Sequence, residues 1–239
     1  LISIKPLASS SKGNCYYITG SSSSLLLDAG INIKRLREGI GFGLASLSGC
    51  LVSHLHGDHI KAVPDLLKAS VDVYMSQGTA RDLERHHRLH IVAPLKQFKL
   101  GTWVVLPFPA EHDCEGAMGF LLANPIGEKL LYLTDSYYCR YTFTGLTHIM
   151  LECNHSYEIL DSNVSSGSLP AEMKKRLIKS HFSLENVKKF LLANDLSKLQ
   201  EIWLIHLSDG NSDGARFKRE IQELTGKPTY IAAERAVSD

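Results

Sequence analysis

The chain has 239 residues, 44% of them hydrophobic and 21% charged, which excludes a disordered chain and suits one folded domain over residues 1–239. A formal net charge of +1 excludes any bulk electrostatic case for nucleic acid, so such a partner would need a local patch. Five scattered cysteines with no Cys-x-x-Cys pair argue against a disulfide framework and for a reducing compartment. No apolar stretch reaches membrane-span length and no signal-peptide pattern is visible at the start, so a cytoplasmic location is expected.

In chain order, the first third reads as short strands over Ile2 to Leu7, Cys15 to Thr19 and Ser24 to Asp28, with turns at Gly13-Asn14 and Gly20-Ser21. A helical pattern covers Ile33 to Ile40. The buried run Cys50-Leu51-Val52 then leads into Ser53-His54-Leu55-His56-Gly57-Asp58-His59, and a helical pattern over Ala62 to Ala69 carries the chain away. A strand at Val71 to Met75 and a helix at Thr79 to His87 follow. The basic run Arg85-His86-His87-Arg88-Leu89-His90 reads as a solvated helix end. Strands are expected at Trp103 to Pro107, Met118 to Ala123, Lys129 to Thr134 and Thr147 to Glu152, with turns at Gly116 and Pro125-Ile126-Gly127. Helices are expected near Tyr157 to Asp161, Pro170 to Lys179, Leu184 to Ala193 and Asp213 to Thr225, and a strand at Glu201 to Ile205. Strands and helices in both halves, with no linker, fit an α/β arrangement of two sheets covered by helices.

Three imidazoles and a carboxylate, His54, His56, Asp58 and His59, fall within six positions. Groups that close together rarely serve a core, where each needs its own hydrogen-bond partner. His54 and His56, two apart, point the same way from an extended strand end, and beyond the turn at Gly57 the other two can face a second ion. Three more ligand types stand after apolar runs that would deliver them to one sheet edge: His112, Asp135 and His206. Cys114, two residues past His112, reads as a small buried hydrophobe rather than a ligand.

The pattern His-x-His-x-Asp-His, followed in order by His112, Asp135 and His206, resembles the metallo-β-lactamase superfamily over about Ile2 to Thr229. That resemblance implies an αββα four-layer sandwich, with Asp28 of Leu25-Leu26-Leu27-Asp28-Ala29-Gly30 as a structural aspartate beside the signature loop. It also implies two divalent ions, zinc, manganese or iron, which the donor types do not distinguish. One is held by His54, His56 and His112, the other by Asp58, His59 and His206, and Asp135 bridges them. Two such ions lower the pKa of a shared water and flank the attacked centre. A bridging aspartate is found in the nuclease and glyoxalase-type branches and not in the zinc β-lactamases, so antibiotic hydrolysis is disfavoured.

The motif flanks resemble the YycJ (VicX, WalJ) group, regarded as metal-dependent DNA exonucleases or phosphodiesterases. The similar segments are Leu7 to Tyr16, with Gly13-Asn14-Cys15, then Leu151-Glu152-Cys153-Asn154-His155-Ser156 and Ile205-His206-Leu207-Ser208. Departures are Ser180-His181-Phe182-Ser183, Asp135-Ser136 and an altered loop at Asn163 to Gly167. The His181 segment is also similar to ribonuclease Z, whose loop histidine pairs with a glutamate and protonates the leaving oxygen; Glu152 occupies the matching place. The resemblance therefore implies a bridging hydroxide that attacks phosphorus, His181 as the acid and Glu152 as its partner, with Asp58 also among the catalytic residues. His181 as a plain helix cap is the bland alternative. His155 is a candidate substrate contact or a residue that only orients a ligand. Lys174, Lys175 and Arg176 read either as a solvated helix face or as contacts to a nucleic-acid backbone. The alternative substrate is a small phosphodiester, thioester or lactone; a non-catalytic domain that kept the fold is the alternative class.

Overall fold

A computed structural model describes residues 1–20 and 22–236; Ser21 of the expected Gly20-Ser21 turn lies outside them. The first sheet has six strands in chain order: β1 (Ser3–Ser10), β2 (Gly13–Thr19), β3 (Ser24–Leu27), β4 (Leu47–Leu51), β5 (Val73–Met75) and β6 (Leu89–Ile91). Its first three strands pair antiparallel and the rest parallel. The second has seven, β7 (Phe98–Leu100), β8 (Trp103–Pro109), β9 (Met118–Ala123), β10 (Lys129–Leu133), β11 (His148–Glu152), β12 (Glu201–Ile205) and β13 (Thr229–Ile231). It repeats the scheme, antiparallel from β7 to β10 and parallel from β10 to β13.

Helices α1 (Ile33–Gly39), α2 (Gly57–Ile60) and α3 (Val63–Lys68) belong to the first half of the chain. Helices α4 (Tyr157–Ser165), α5 (Ala171–Ser180), α6 (Leu184–Leu192), α7 (Gly214–Thr225) and α8 (Ala232–Arg235) belong to the second. Among the described residues no helix is long and apolar enough to cross a membrane.

Period-two alternation makes the layers. Leu25 and Leu27 of β3, Leu130 and Tyr132 of β10, and Trp203 and Ile205 of β12 share a core between the sheets. The residues between them face outward: Leu26 packs with Leu36 of α1 and Leu66 of α3, and Leu131, Ile202 and Leu204 pack with Val187 of α6 and Phe217 of α7. Three apolar layers separating four structural ones make the expected αββα sandwich.

The expected helix at Thr79 to His87 is a series of turns. Ser76 Oγ accepts the Thr79 amide at 2.9 Å and caps one turn, after which the bonds of Arg81 N to Gly78 O and Leu83 N to Ala80 O are those of three-residue turns rather than of an α-helix. The basic run is correspondingly no helix end: His90 lies in β6, pairs with Asp72 at 2.8 Å and stacks on Tyr74. The hairpin expected at Gly13-Asn14 turns instead at Ser11-Lys12, and both residues begin β2. The altered loop expected from Asn163 starts inside α4, where Asn163 Nδ2 donates to Gly210 O and Asn211 Oδ1, both at 2.9 Å.

Candidate metal centre

Parallel strands of both sheets end at one crevice, the usual place for a site in such sheets. Asp28 follows β3 directly, His206 follows β12 directly, and Asp135 follows β10 by two residues. All three have left-handed backbones, with φ of 56°, 52° and 45°. That conformation is uncommon away from glycine, and it turns the chain sharply where the side chain must enter the crevice.

Asp28 holds the signature loop. It accepts the Ser53 amide at 2.7 Å, the Ser53 hydroxyl at 2.9 Å, His59 Nδ1 at 2.7 Å and the Tyr132 hydroxyl. The loop also needs Gly30, since a Cβ there would stand 1.6 Å from the Asp58 carbonyl oxygen.

His54, His56 and His112 form one group, with His56 Nδ1 at 3.1 Å from His54 Nε2 and 3.2 Å from His112 Nε2. Each remote nitrogen of the outer pair is engaged elsewhere: His54 Nδ1 with Ser53 Oγ at 2.9 Å, His112 Nδ1 with the Ser180 carbonyl at 3.0 Å. Such partners fix which nitrogen faces a ligand. The spacings match the edge of about 3.3 Å that a tetrahedral ion with 2.0–2.1 Å bonds to nitrogen would span.

Asp58, His59 and His206 form a second group. His59 Nε2 lies 3.3 Å from Asp58 and 3.1 Å from Asp135, which stands between the groups and forms a cluster with His54 and His59. His206 Nε2 is buried with no hydrogen-bond partner among the described residues, 3.5 Å from Asp58 Oδ2. An orphaned imidazole nitrogen facing a carboxylate is the state a missing cation explains. The donor set therefore fits divalent metal.

Burial opposes the charge on Asp135, but His206 and His59 hold its carboxyl well below the usual range. Burial, with His59 nearby, keeps the His54 imidazole neutral, the form that ligates.

Glu152, fully buried at the end of β11, joins this centre to the His181 loop. Its Oε1 bonds His181 Nδ1 at 2.7 Å and His206 Nδ1 at 2.8 Å, while Oε2 accepts the Ser136 and Phe182 amides, both at 3.1 Å. His181 Nδ1 also lies 3.2 Å from Asp135. Burial pushes the His181 imidazole down, but Glu152 and Asp135 bring it up to about 10. Both carboxylates thus favour the protonated form of His181.

Two expectations change. His155 is fully buried rather than open to the crevice, and neither ring nitrogen has a partner among the described residues. Cys114 is not a core hydrophobe: it is half-buried beside the first histidine group. Lys174, Lys175 and Arg176 each pair with a carboxylate, Asp161, Glu172 (2.9 Å) and Asp113 (3.2 Å). Only the last leads to the site, because Asp113 lies 3.2 Å from His112 Nε2.

Asn14 was readable only as part of a motif. Its Nδ2 reaches Asp58 Oδ2 and His59 Nε2, both at 3.2 Å, and donates to the Ser10 carbonyl at 3.0 Å.

The sandwich and its strand-end histidines define a metal-dependent hydrolase class of fold. Residues 24–155 match the β-lactamase superfamily domain, and the chain belongs to that family, whose fold implies divalent-metal binding. It is 28% identical over 224 residues to the exodeoxyribonuclease WalJ of Streptococcus pneumoniae, covering 86% of this chain and 81% of that one. It is 29% identical over 224 residues to the exodeoxyribonuclease YycJ of Bacillus anthracis, covering 86% and 82%. The metallo-β-lactamase-fold protein YhfI of Bacillus subtilis superposes over all of both chains, with a TM-score of 0.72 at 14% identity, a likeness of fold.

Proposed function

We propose that this protein is a cytoplasmic, two-metal-dependent phosphodiesterase acting on nucleic acid, a DNA exonuclease. The observation that carries the reading is the bond between buried Glu152 and His181 Nδ1, 2.7 Å long, at the border of the histidine–aspartate clusters. An alkoxide leaves far more slowly than an alcohol, so phosphodiester cleavage calls for a positioned acid. The names of the two relatives support DNA as substrate, and five free cysteines support a reducing compartment.

His54, His56 and His112 would hold one ion, Asp58, His59 and His206 the other, with Asp135 between them. Zinc, manganese or iron bound there would lower the pKa of water and offset charge on the phosphoryl oxygens. Asp58, placed between His59 and His206, orients the attacking water. His181 keeps a proton at Nε2, the nitrogen turned away from Glu152, and delivers it to the leaving oxygen. Lys174, Lys175 and Arg176 contact the phosphate backbone; exposed ion pairs contribute only about 0–1 kcal/mol, so a phosphate can displace their carboxylates.

The test is a manganese- and zinc-supplemented assay on end-labelled DNA, end-labelled RNA and bis-p-nitrophenyl phosphate, with elemental analysis of the loaded protein. Stepwise DNA shortening abolished by chelation is expected. Turnover of the small ester with no nucleic-acid cleavage would overturn the substrate, and a single ion per chain would overturn the two-metal reading.

A further inference from the structure

The loop joining β8 to β9 is pinned at several points. Ala110 N donates to Ala117 O at 3.0 Å and Glu111 N to Ser136 Oγ at 2.9 Å. Gly116 has φ +77°, and a Cβ on it would meet Ser76 Oγ at 2.3 Å; one on Gly78 would meet Glu115 O at 2.7 Å. The segment carrying Cys114 therefore lies tight against the turn after β5 and has a defined position.

That position is over the signature loop. Cys114 Sγ and one ring nitrogen each of His54, His56 and His112 all lie within 4.8 Å of one another. The other cysteines have other surroundings: Cys15 and Cys50 pack with the outer leucines of the first sheet, Cys153 with those of the second, and Cys139 donates to Tyr141 O.

We infer that Cys114 is a further protein donor, beside Asp135, to the ion held by His54, His56 and His112, adding a thiolate to three imidazoles and making that position selective for a thiophilic divalent ion such as zinc. The inference rests on the proposed assignment of those histidines as ligands. Soft thiolate favours zinc or cobalt, whereas manganese favours carboxylate and water. When the sulfur–metal bond forms, the thiol proton leaves to solvent and nothing is oxidised. Added to three imidazoles and the Asp135 carboxylate, the thiolate takes a position that a catalytic ion keeps open. Thiolate and substrate oxygen therefore compete for a zinc ion at this position, and not for a manganese ion.

Cobalt(II) titration of the full chain tests this, because cobalt–thiolate bonds give an intense near-ultraviolet charge-transfer band that nitrogen and oxygen donors do not. The native chain should show that band together with visible absorption. Cys114→Ser should lose the band and keep the visible absorption, Cys139→Ser should keep both, and zinc affinity of Cys114→Ser should fall about tenfold or more, at least the loss seen for an outer partner. Maleimide labelling needs no variant: zinc should protect Cys114, and manganese should not. Cobalt uptake by the native chain without the band, or labelling that zinc leaves unchanged, would overturn the inference while leaving the histidine site standing. No cobalt uptake at all would overturn the ligand assignment itself.

Discussion

Glu152 serves two neighbours with one oxygen, His181 at 2.7 Å and His206 at 2.8 Å, so substitutions at the three residues should separate acid catalysis from metal holding. His181→Ala should cost about 10²–10⁴-fold in turnover of an alkyl phosphodiester. Metal content should stay unchanged, and the loss should shrink for a nitrophenol ester, whose leaving group departs without a proton. An equal loss on both esters would make His181 a phosphate-binding or structural residue. Glu152→Gln should lower metal retention as well as rate, because it also orients His206. His155 carries a pH prediction of its own. Burial holds its imidazole at about 4, from an ordinary 6.5, with Glu152 and His181 the charged groups that act on it. The unfolded chain takes up that proton first, so stability present above pH 6.5 is lost as pH falls toward 4, by about 3 kcal/mol at 1.36 kcal/mol per unit. His155→Phe should flatten that acid limb in urea melts without lowering stability at neutral pH, since the imidazole has no hydrogen-bond partner among the described residues. An unchanged limb would assign the acid loss to other groups. At this scale the seven candidate ligands were legible because their spacing is local or each stands at a strand end. The contacts of Asn14 and Cys114 were not, because they join segments distant in sequence that only the fold brings together.

Helix α5 shows how an element can be legible in position and not in use. Its charges were visible in sequence, but their partners lie on other segments: Asp161 in α4 for Lys174, and Asp113 in the loop after β8 for Arg176. Those pairings divide the helix. Changing Lys174 and Lys175 to Gln should weaken DNA binding and lower the salt slope by roughly 0.7–0.9 per lost phosphate contact, with turnover of a small ester unchanged. Arg176→Gln should affect both substrates, because it frees Asp113 beside His112. Measured binding slopes that do not move would return Lys174 and Lys175 to a solvated face. Elements with clear period-two or helical patterning were legible nearly to the residue, Met118–Ala123 and Glu201–Ile205 among them. The three-residue strands β6, β7 and β13 were not, being too short to show a period. The turns after β5 defeated the helical reading because the chain makes one capped turn at Ser76 and then only three-residue turns.

At the scale of the molecule, the two sheets meet twice: across the apolar layer containing Tyr16, Trp103 and Tyr132, and again at the crevice. His54, His56, Asp58 and His59 come from the segment after β4 that leads into α2, whereas His112, Asp135 and His206 come from the segments after strands of the second sheet. Two sheets covered by helices were legible from strands and helices in both halves, and the αββα layering from the family resemblance; the strand order was not legible, since pairing between distant segments leaves no local mark. A centre that draws donors from both halves should act as a clamp on the sandwich. In the metal-free chain the cluster holds buried acids and imidazoles with incomplete partners, His206 Nε2 among them. Metal that binds only the folded chain adds about 4 kcal/mol at a thousandfold excess over its Kd. At about 2–4 °C per kcal/mol for a chain of this size, the melting temperature should rise on the order of 10 °C. Calorimetry of the chelated and zinc-loaded protein measures it. Asp135→Ala should lose most of the rise, because it removes the carboxylate between the two groups, while its metal-free melting temperature should stay close to that of the metal-free native chain. A rise that survives in Asp135→Ala undiminished would mean that the ions stabilise each half separately and that the clamp does not exist.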